Sequence, residues 1–301
     1  ELDGFRPQAA MQRQQLAYAL PFALTVLVET VQLNYHQYAV SHWFDAATFA
    51  IYSVGCFQVP LIELVASPLA NVMMVRMAER LRDGRADEAL AVWTRTTRTL
   101  ALVFFPVLAL LLVSARDLIV LLFTDRYLPS VPIFMVWSLA LGASVLQTDA
   151  ILRVYAETRF MLLVGVVKLL IIATLIGAFI GAFGLPGAVL VSLAATLAMK
   201  AAVLARMRRL LGVGLGRLAP WRDLAGIGFA SAAAALPAFI VKAAVEGPVL
   251  ARLALTGLAG SATYLAIVFP SGLLDEGERL AVRTWLQRFM PGVMRAGESE
   301  S

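Results

Sequence analysis

The run LALVFFPVLALLLV, residues 100–113, carries no charge, and the uncharged stretch reaches from Thr99 to Ala115 between Arg98 and Arg116. Coiled at 1.5 Å per residue, it covers most of the roughly 30 Å of hydrocarbon in a bilayer. A membrane-spanning strand would alternate polar and apolar side chains over about ten residues, and this run does not alternate. Lipid offers backbone N–H and C=O groups no partner, so only helices and closed barrels cross it. The run is therefore a transmembrane helix.

The rest of the chain repeats the pattern. Of 301 residues, 60% are hydrophobic and 15% charged, with a mean hydropathy of +0.80. Soluble domains are about 45–50% apolar and about 25% charged. Spans are expected at about 16–38, 48–75, 98–115, 131–151, 160–182, 186–205, 224–244 and 249–269. The fold class is thus all-α, a polytopic transmembrane helical bundle of about eight helices. The one cysteine, Cys56, has no partner in the chain and reads as packing.

A net charge of +5 would suggest nucleic acid only if it formed a patch on a soluble surface. Instead the basic residues lie between apolar runs, so no nucleic-acid partner is expected. Of 25 Lys and Arg, 19 fall in the N-terminal tail, the loops 76–98, 152–159 and 206–223, and the tail after 270. Arg116, Arg126, Lys242 and Arg252 lie on the other side, and Lys168 and Lys200 within spans. The positive-inside rule then places both termini in the cytoplasm.

Residues 1–13 are polar, without the pattern of a cleaved signal, and read as a cytoplasmic linker. The chain opens on Glu1 and is expected to be part of a longer one. The basic segment 76–98 is expected to form an interfacial amphipathic helix against anionic lipid. ARDLIVLLFTDRYLPSVP, 115–132, suggests an interfacial or re-entrant piece on the outer side, and Gly184-Leu185-Pro186-Gly187 a tight turn. GVGLGRLAP, 212–220, divides a six-helix unit, 14–211, from an accessory pair, 212–269. A cytoplasmic tail, 270–301, follows, with a short amphipathic helix through Phe289 and a disordered end.

Polar side chains within spans are costly and mark cavities or partners. Thr25, Glu29, Gln32 and His36 follow steps of four, three and four, which puts them on one helical face. Glu63, Ser67 and Asn71 repeat at four, with Gln58 an outer neighbour and Pro60 and Pro68 expected to bend the helix. Gln147, Asp149 and Arg153 lie near the cytoplasmic end of the fourth span, where they either form a gate or solvate a helix end. Lys168, about 12 Å into the membrane, reaches a depth similar to that of Glu63. Lys200 is expected to snorkel to the cytoplasmic surface, and His42, beside Trp43, to lie at the outer interface.

No metal-ligand set, phosphate loop or nucleophile elbow stands in the sequence, so neither cofactor nor metal nor catalysis is expected.

YALPFALTVLVETV (18–31), FAIYSVGCFQVPLIELVASPLANVMM (49–74) and ARDLIVLLFTDRYLPSVPIF (115–134) resemble the C-terminal half of polysaccharide-biosynthesis flippases of the O-antigen type. These belong to the multidrug, oligosaccharidyl-lipid and polysaccharide exporter superfamily. The resemblance covers about residues 14–210. It implies two six-helix lobes around a central cavity plus a terminal pair, in the bacterial inner membrane. This chain would supply the second lobe and the pair, and its partner would be the N-terminal lobe.

The implied cargo is an undecaprenyl-pyrophosphate-linked oligosaccharide, flipped by alternating access while its tail stays in membrane lipid. Thr25, Glu29, Gln32, His36, Gln58, Glu63, Asn71 and Lys168 are then the cavity candidates. Lys168 either meets the pyrophosphate as a point charge, pairs with Glu63 or Asp149, or snorkels toward the cytoplasmic headgroups. The alternatives are a drug or peptidoglycan-precursor exporter of the same fold, an integral-membrane enzyme on polyprenyl-linked sugars, or an assembly subunit.

Overall fold

A computed structural model describes residues 9–274. Its elements are all helical: α1 (Ala9–Trp43), α2 (Ala46–Gly55), α3 (Pro60–Arg82), α4 (Ala86–Leu122), a 3-10 turn (Asp125–Ser130), α5 (Val131–Ser144) and α6 (Thr148–Val154). Then come α7 (Thr158–Phe183), α8 (Leu185–Leu211), the single turn α9 (Leu215–Leu218), α10 (Trp221–Ala244) and α11 (Val249–Val268). Helix already begins at Ala9, inside the stretch 1–13 read as a linker. The proposed tail helix through Phe289 and the GESES end lie outside the described residues.

Among the described residues, seven helical stretches are long and apolar enough to cross a membrane, those at 15–43, 86–122, 125–154, 158–183, 185–211, 221–244 and 249–268. The remaining expected span, 48–75, is made of two helices, α2 and α3, interrupted at 56–59. Pro60 does not bend this span from within. It opens α3 at the first helical position, where its missing N–H removes no hydrogen bond. The fourth expected span is likewise two pieces, α5 and α6, separated at 145–147.

The basic segment 76–98 forms a helical hairpin and not one continuous amphipathic helix. Gly84 turns the chain at φ +74°, Arg85 pairs with Asp83 and Glu88, and α4 starts at once. Leu90, Trp93 and Thr97 are buried, so the hydrophobic side of this segment meets protein where lipid contact was expected. Trp93 is fully enclosed, and its Nε1 donates to the Leu218 carbonyl at 2.6 Å. Arg217 and Asp87 (3.2 Å), and Arg206 and Glu157 (2.7 Å), join neighbouring connections at the same end of the bundle. The outer piece also differs from expectation, because α4 runs on as regular helix to Leu122 with Asp117 and Ile119 buried.

The α7–α8 connection is the expected tight turn. Gly184 alone, at φ +65°, separates the helices. A Cβ on Gly187 would stand 2.1 Å from the Phe179 carbonyl oxygen, so only glycine allows this approach. Gly212, also at φ +65°, ends α8 as a left-handed cap.

Beyond it, α10 and α11 pack on each other and on α4. Small residues carry that contact: Ala230, Ala234 and Ala238 are buried, and a Cβ on Gly260 would meet Leu110 at 2.6 Å. Close backbone approach of this kind is how helices associate in lipid, where apolar surface alone gives no net drive.

Candidate functional site: a polar cleft between the helices

α1 packs along α7, whereas α3 packs along α4. A cleft of about 590 Å³ is lined by α1, α7 and α8, with α5, α6 and Glu63 of α3, within the usual range of about 300–1,000 Å³ for ligand sites. Glu29, Gln32 and His36 enter it from α1, Glu63 from α3, Trp137 from α5, Asp149 and Arg153 from α6, Lys168 from α7, and Ser192 and Thr196 from α8. An adjoining cavity of about 90 Å³ shares Glu29, Gln32, Asp149, Lys168 and Thr196, and adds Thr148 and Lys200. Three carboxylates and two cations thus line one intramembrane space.

Each side chain owes its place to an identifiable local cause. The four-three-four spacing on α1 turns Glu29, Gln32 and His36 inward, and Gln32 pins the helix by donating to the Gly165 carbonyl of α7 at 2.5 Å. His36 lies 2.8 Å from the Tyr52 hydroxyl through Nδ1, with the Trp137 ring 5.4 Å away. It therefore ties α1 to α2 as well as facing the cleft. Arg153 stacks its guanidinium 5.4 Å from the Phe22 ring centre, a cation–π contact between α6 and α1.

Among the described residues Lys168 has no carboxylate within 4.0 Å. Glu29 and Asp149 still act on it electrostatically. The direct pairs with Glu63 or Asp149 considered from the sequence are not formed.

The other expected residues lie apart. Thr25 is 2% exposed, and its hydroxyl donates to the Pro21 carbonyl at 2.8 Å. Asn71 is exposed and outside the cleft. Gln58 lines a neighbouring, more apolar hollow of about 860 Å³ that meets the cleft at Glu63 and Trp137. Gln147 folds back on the helix break, its amide donating to the Ser144 carbonyl at 2.6 Å. Of the three gate candidates, Asp149 and Arg153 face the cleft.

Two groups of residues were not brought together by the sequence reading. On α8, Ser192, Thr196 and Lys200 repeat at intervals of four, the same signal that marked α1 and α3. Lys200 does not snorkel outward. Its Nζ donates to the Leu146 carbonyl at 2.5 Å, in the α5–α6 break where the interrupted helix frees acceptors.

The second group is Asp117 of α4, whose side chain is 3% exposed, paired with Arg252 of α11 and 3.8 Å from Lys242 of α10. Lys242 also donates to the Val113 carbonyl at 2.5 Å. Asp117 falls within 115–132, the stretch whose interrupted apolar run suggests an interfacial or re-entrant piece on the outer side.

No curated protein matches the chain. The family described as "Polysaccharide biosynthesis protein" matches residues 5–132. That stretch covers α1 to α4 and carries Glu29, Gln32, His36 and Glu63, whereas Asp149, Arg153 and Lys168 lie beyond it. Over those residues the chain is similar to a family of polysaccharide biosynthesis proteins.

Proposed function

We propose that this chain is one lobe of a transporter that flips a polyprenyl-pyrophosphate-linked oligosaccharide across the bacterial inner membrane by alternating access. The observation that carries the reading is the mixed-charge cleft, built by helices that also include the stretch similar to polysaccharide biosynthesis proteins. Carboxylates at Glu29, Glu63 and Asp149 are acceptors for sugar hydroxyls, and the Gln32 and Thr196 side chains extend that lining. Lys168 and Arg153 supply cationic donors, a point charge and a planar fork, for phosphate oxygens.

Polar walls lower the cost of moving a hydrated glycan through hydrocarbon, because they replace its lost water contacts. The apolar hollow beside Glu63 offers a wall to the isoprenoid, which remains in lipid. The α2–α3 interruption borders the apolar hollow and the α5–α6 interruption directly precedes Thr148 and Asp149 of the polar cavities; both are places where the lobe can flex. Interrupted helices beside a midplane site are a recurrent arrangement in transporters. In this reading both termini are cytoplasmic, a second six-helix lobe faces the cleft, and the protein transports without acting as an enzyme.

Glu29→Ala and Lys168→Ala, made in the full-length protein in its host, test the reading. Surface polysaccharide is expected to fall by at least tenfold at unchanged membrane abundance, with intact lipid-linked precursor accumulating in the inner leaflet. Normal surface polysaccharide in both variants would reject the roles given to these residues. A precursor of altered glycan length or linkage would favour an enzyme.

A further inference from the structure

A second recess, sharing no lining residue with the polar cleft, lies between α3 and α4 at the arginine-rich end. It encloses about 620 Å³. Leu69 and Val72 form its deeper part, and Arg76, Arg80, Arg95 and Thr96 the part nearer the hairpin turn.

The three cations are not equivalent. Arg80 is held by Glu88 at 3.0 Å. Arg76 and Arg95, both exposed, have no carboxylate within 4.0 Å among the described residues, although Glu79 also borders the recess. Uncharged helix follows, from Val75 back to Leu64 on α3 and, beyond Arg98, from Thr99 to Ala115 on α4. Val72, in the recess, and Val75, beside it, remain 49% and 60% exposed, so the recess opens at the surface of the bundle, where lipid can reach it. Its cations therefore stand at the level where hydrocarbon gives way to phosphate.

We infer that this recess binds the headgroup of an anionic phospholipid. The phosphate lies between Arg76 and Arg95, and an acyl chain runs along Leu69 and Val72. Charge complementarity and the step from cationic to apolar lining along one groove both select this ligand. A free phosphate would use only the cationic end. Basic pockets between transmembrane helices hold anionic headgroups in the same way. The inference does not depend on what the polar cleft carries.

The full chain, purified in neutral detergent, is titrated with phosphatidylglycerol or with phosphatidylcholine of identical chains, and retained lipid is read by native mass spectrometry. Phosphatidylglycerol is expected to be retained at least tenfold more strongly. Each basic group facing an anionic headgroup contributes roughly fivefold, so R76Q/R95Q should weaken retention by about twenty-fivefold. R208Q/R209Q, which removes the same charge from the end of α8, should leave it unchanged.

On the unaltered chain, phosphatidylglycerol but not phosphatidylcholine should slow hydrogen exchange over residues 76–99. Equal retention of both lipids, equal weakening by the two double variants, or no selective slowing of exchange would overturn the assignment. Displacement of bound lipid by millimolar inorganic phosphate would overturn it in favour of a simple anion site.

Discussion

Replacing Asp117 by Asn isolates what joins the last two helices to α4. The Asp117 carboxylate is almost wholly enclosed, and two cations from different helices converge on it. At the 3.8 Å separation from Lys242, a unit ion pair in an effective dielectric of about 20 is worth about 4 kcal/mol. Removing one partner of a buried pair generally costs about 3–5 kcal/mol, because the other charge is left without compensation.

Two features lower the expectation here. Lys242 and Arg252 keep 21% and 27% side-chain exposure, and Lys242 retains its bond to the Val113 carbonyl. Asp117→Asn is therefore expected to destabilise the chain by about 2–3 kcal/mol. The measurement is unfolding in mixed micelles titrated with sodium dodecyl sulfate, followed by circular dichroism. The triple variant D117N/K242Q/R252Q should regain at least half of the loss, because no orphan charge remains. A single variant within about 0.5 kcal/mol of wild type, or a triple variant no more stable than the single one, would refute the assignment of Asp117 as the clasp.

The same unfolding assay checks two further expectations. Gly187→Ala forces a Cβ onto the Phe179 carbonyl and should cost at least about 2 kcal/mol, whereas Gly181→Ala, in open space, should be neutral or slightly stabilising. Lys200→Met removes the side-chain donor from the Leu146 carbonyl. That oxygen still accepts from the Thr148 amide at 2.9 Å, so the loss should be only about 1 kcal/mol.

Asp45 caps α2 by accepting from the Thr48 amide at 3.1 Å. Hydrogen bonds from Thr48 hold its carboxyl below the ordinary value of 3.8. Its folded-state value is depressed, so the cap's contribution is complete above the ordinary value and is lost as pH falls through the lower, folded one. Asp45→Asn should retain the cap and abolish that pH dependence in an NMR titration of the Thr48 amide, whereas Asp45→Ala should fray α2 at every pH.

Hydrophobic run length and the spacing of polar residues were legible without any coordinates. A helix in lipid satisfies its own backbone, so LALVFFPVLALLLV needed no tertiary partner to be read as a span. The inward positions of Glu29, Gln32 and His36 followed from 3.6-residue periodicity, and the Gly184 turn from its residues. The breaks were harder to read. Nothing at 145–147 resembles a breaker, because the interruption between α5 and α6 is supported from a distance by Lys200.

What the sequence by itself determined is the helical class, the approximate spans and the polar faces, all properties of short stretches of chain. Only the tertiary structure decided which faces meet. It assembled Glu63, Asp149 and Lys168 into one cleft while leaving Asn71 outside. It also turned the basic segment 76–98 into a hairpin and drew Asp117 between Lys242 and Arg252, partners 125 and 135 residues away in sequence. The physical reason is that a charge in an apolar run has the same local signature whether it faces water, lipid or an opposite charge. Its stability depends on partners that packing alone brings near.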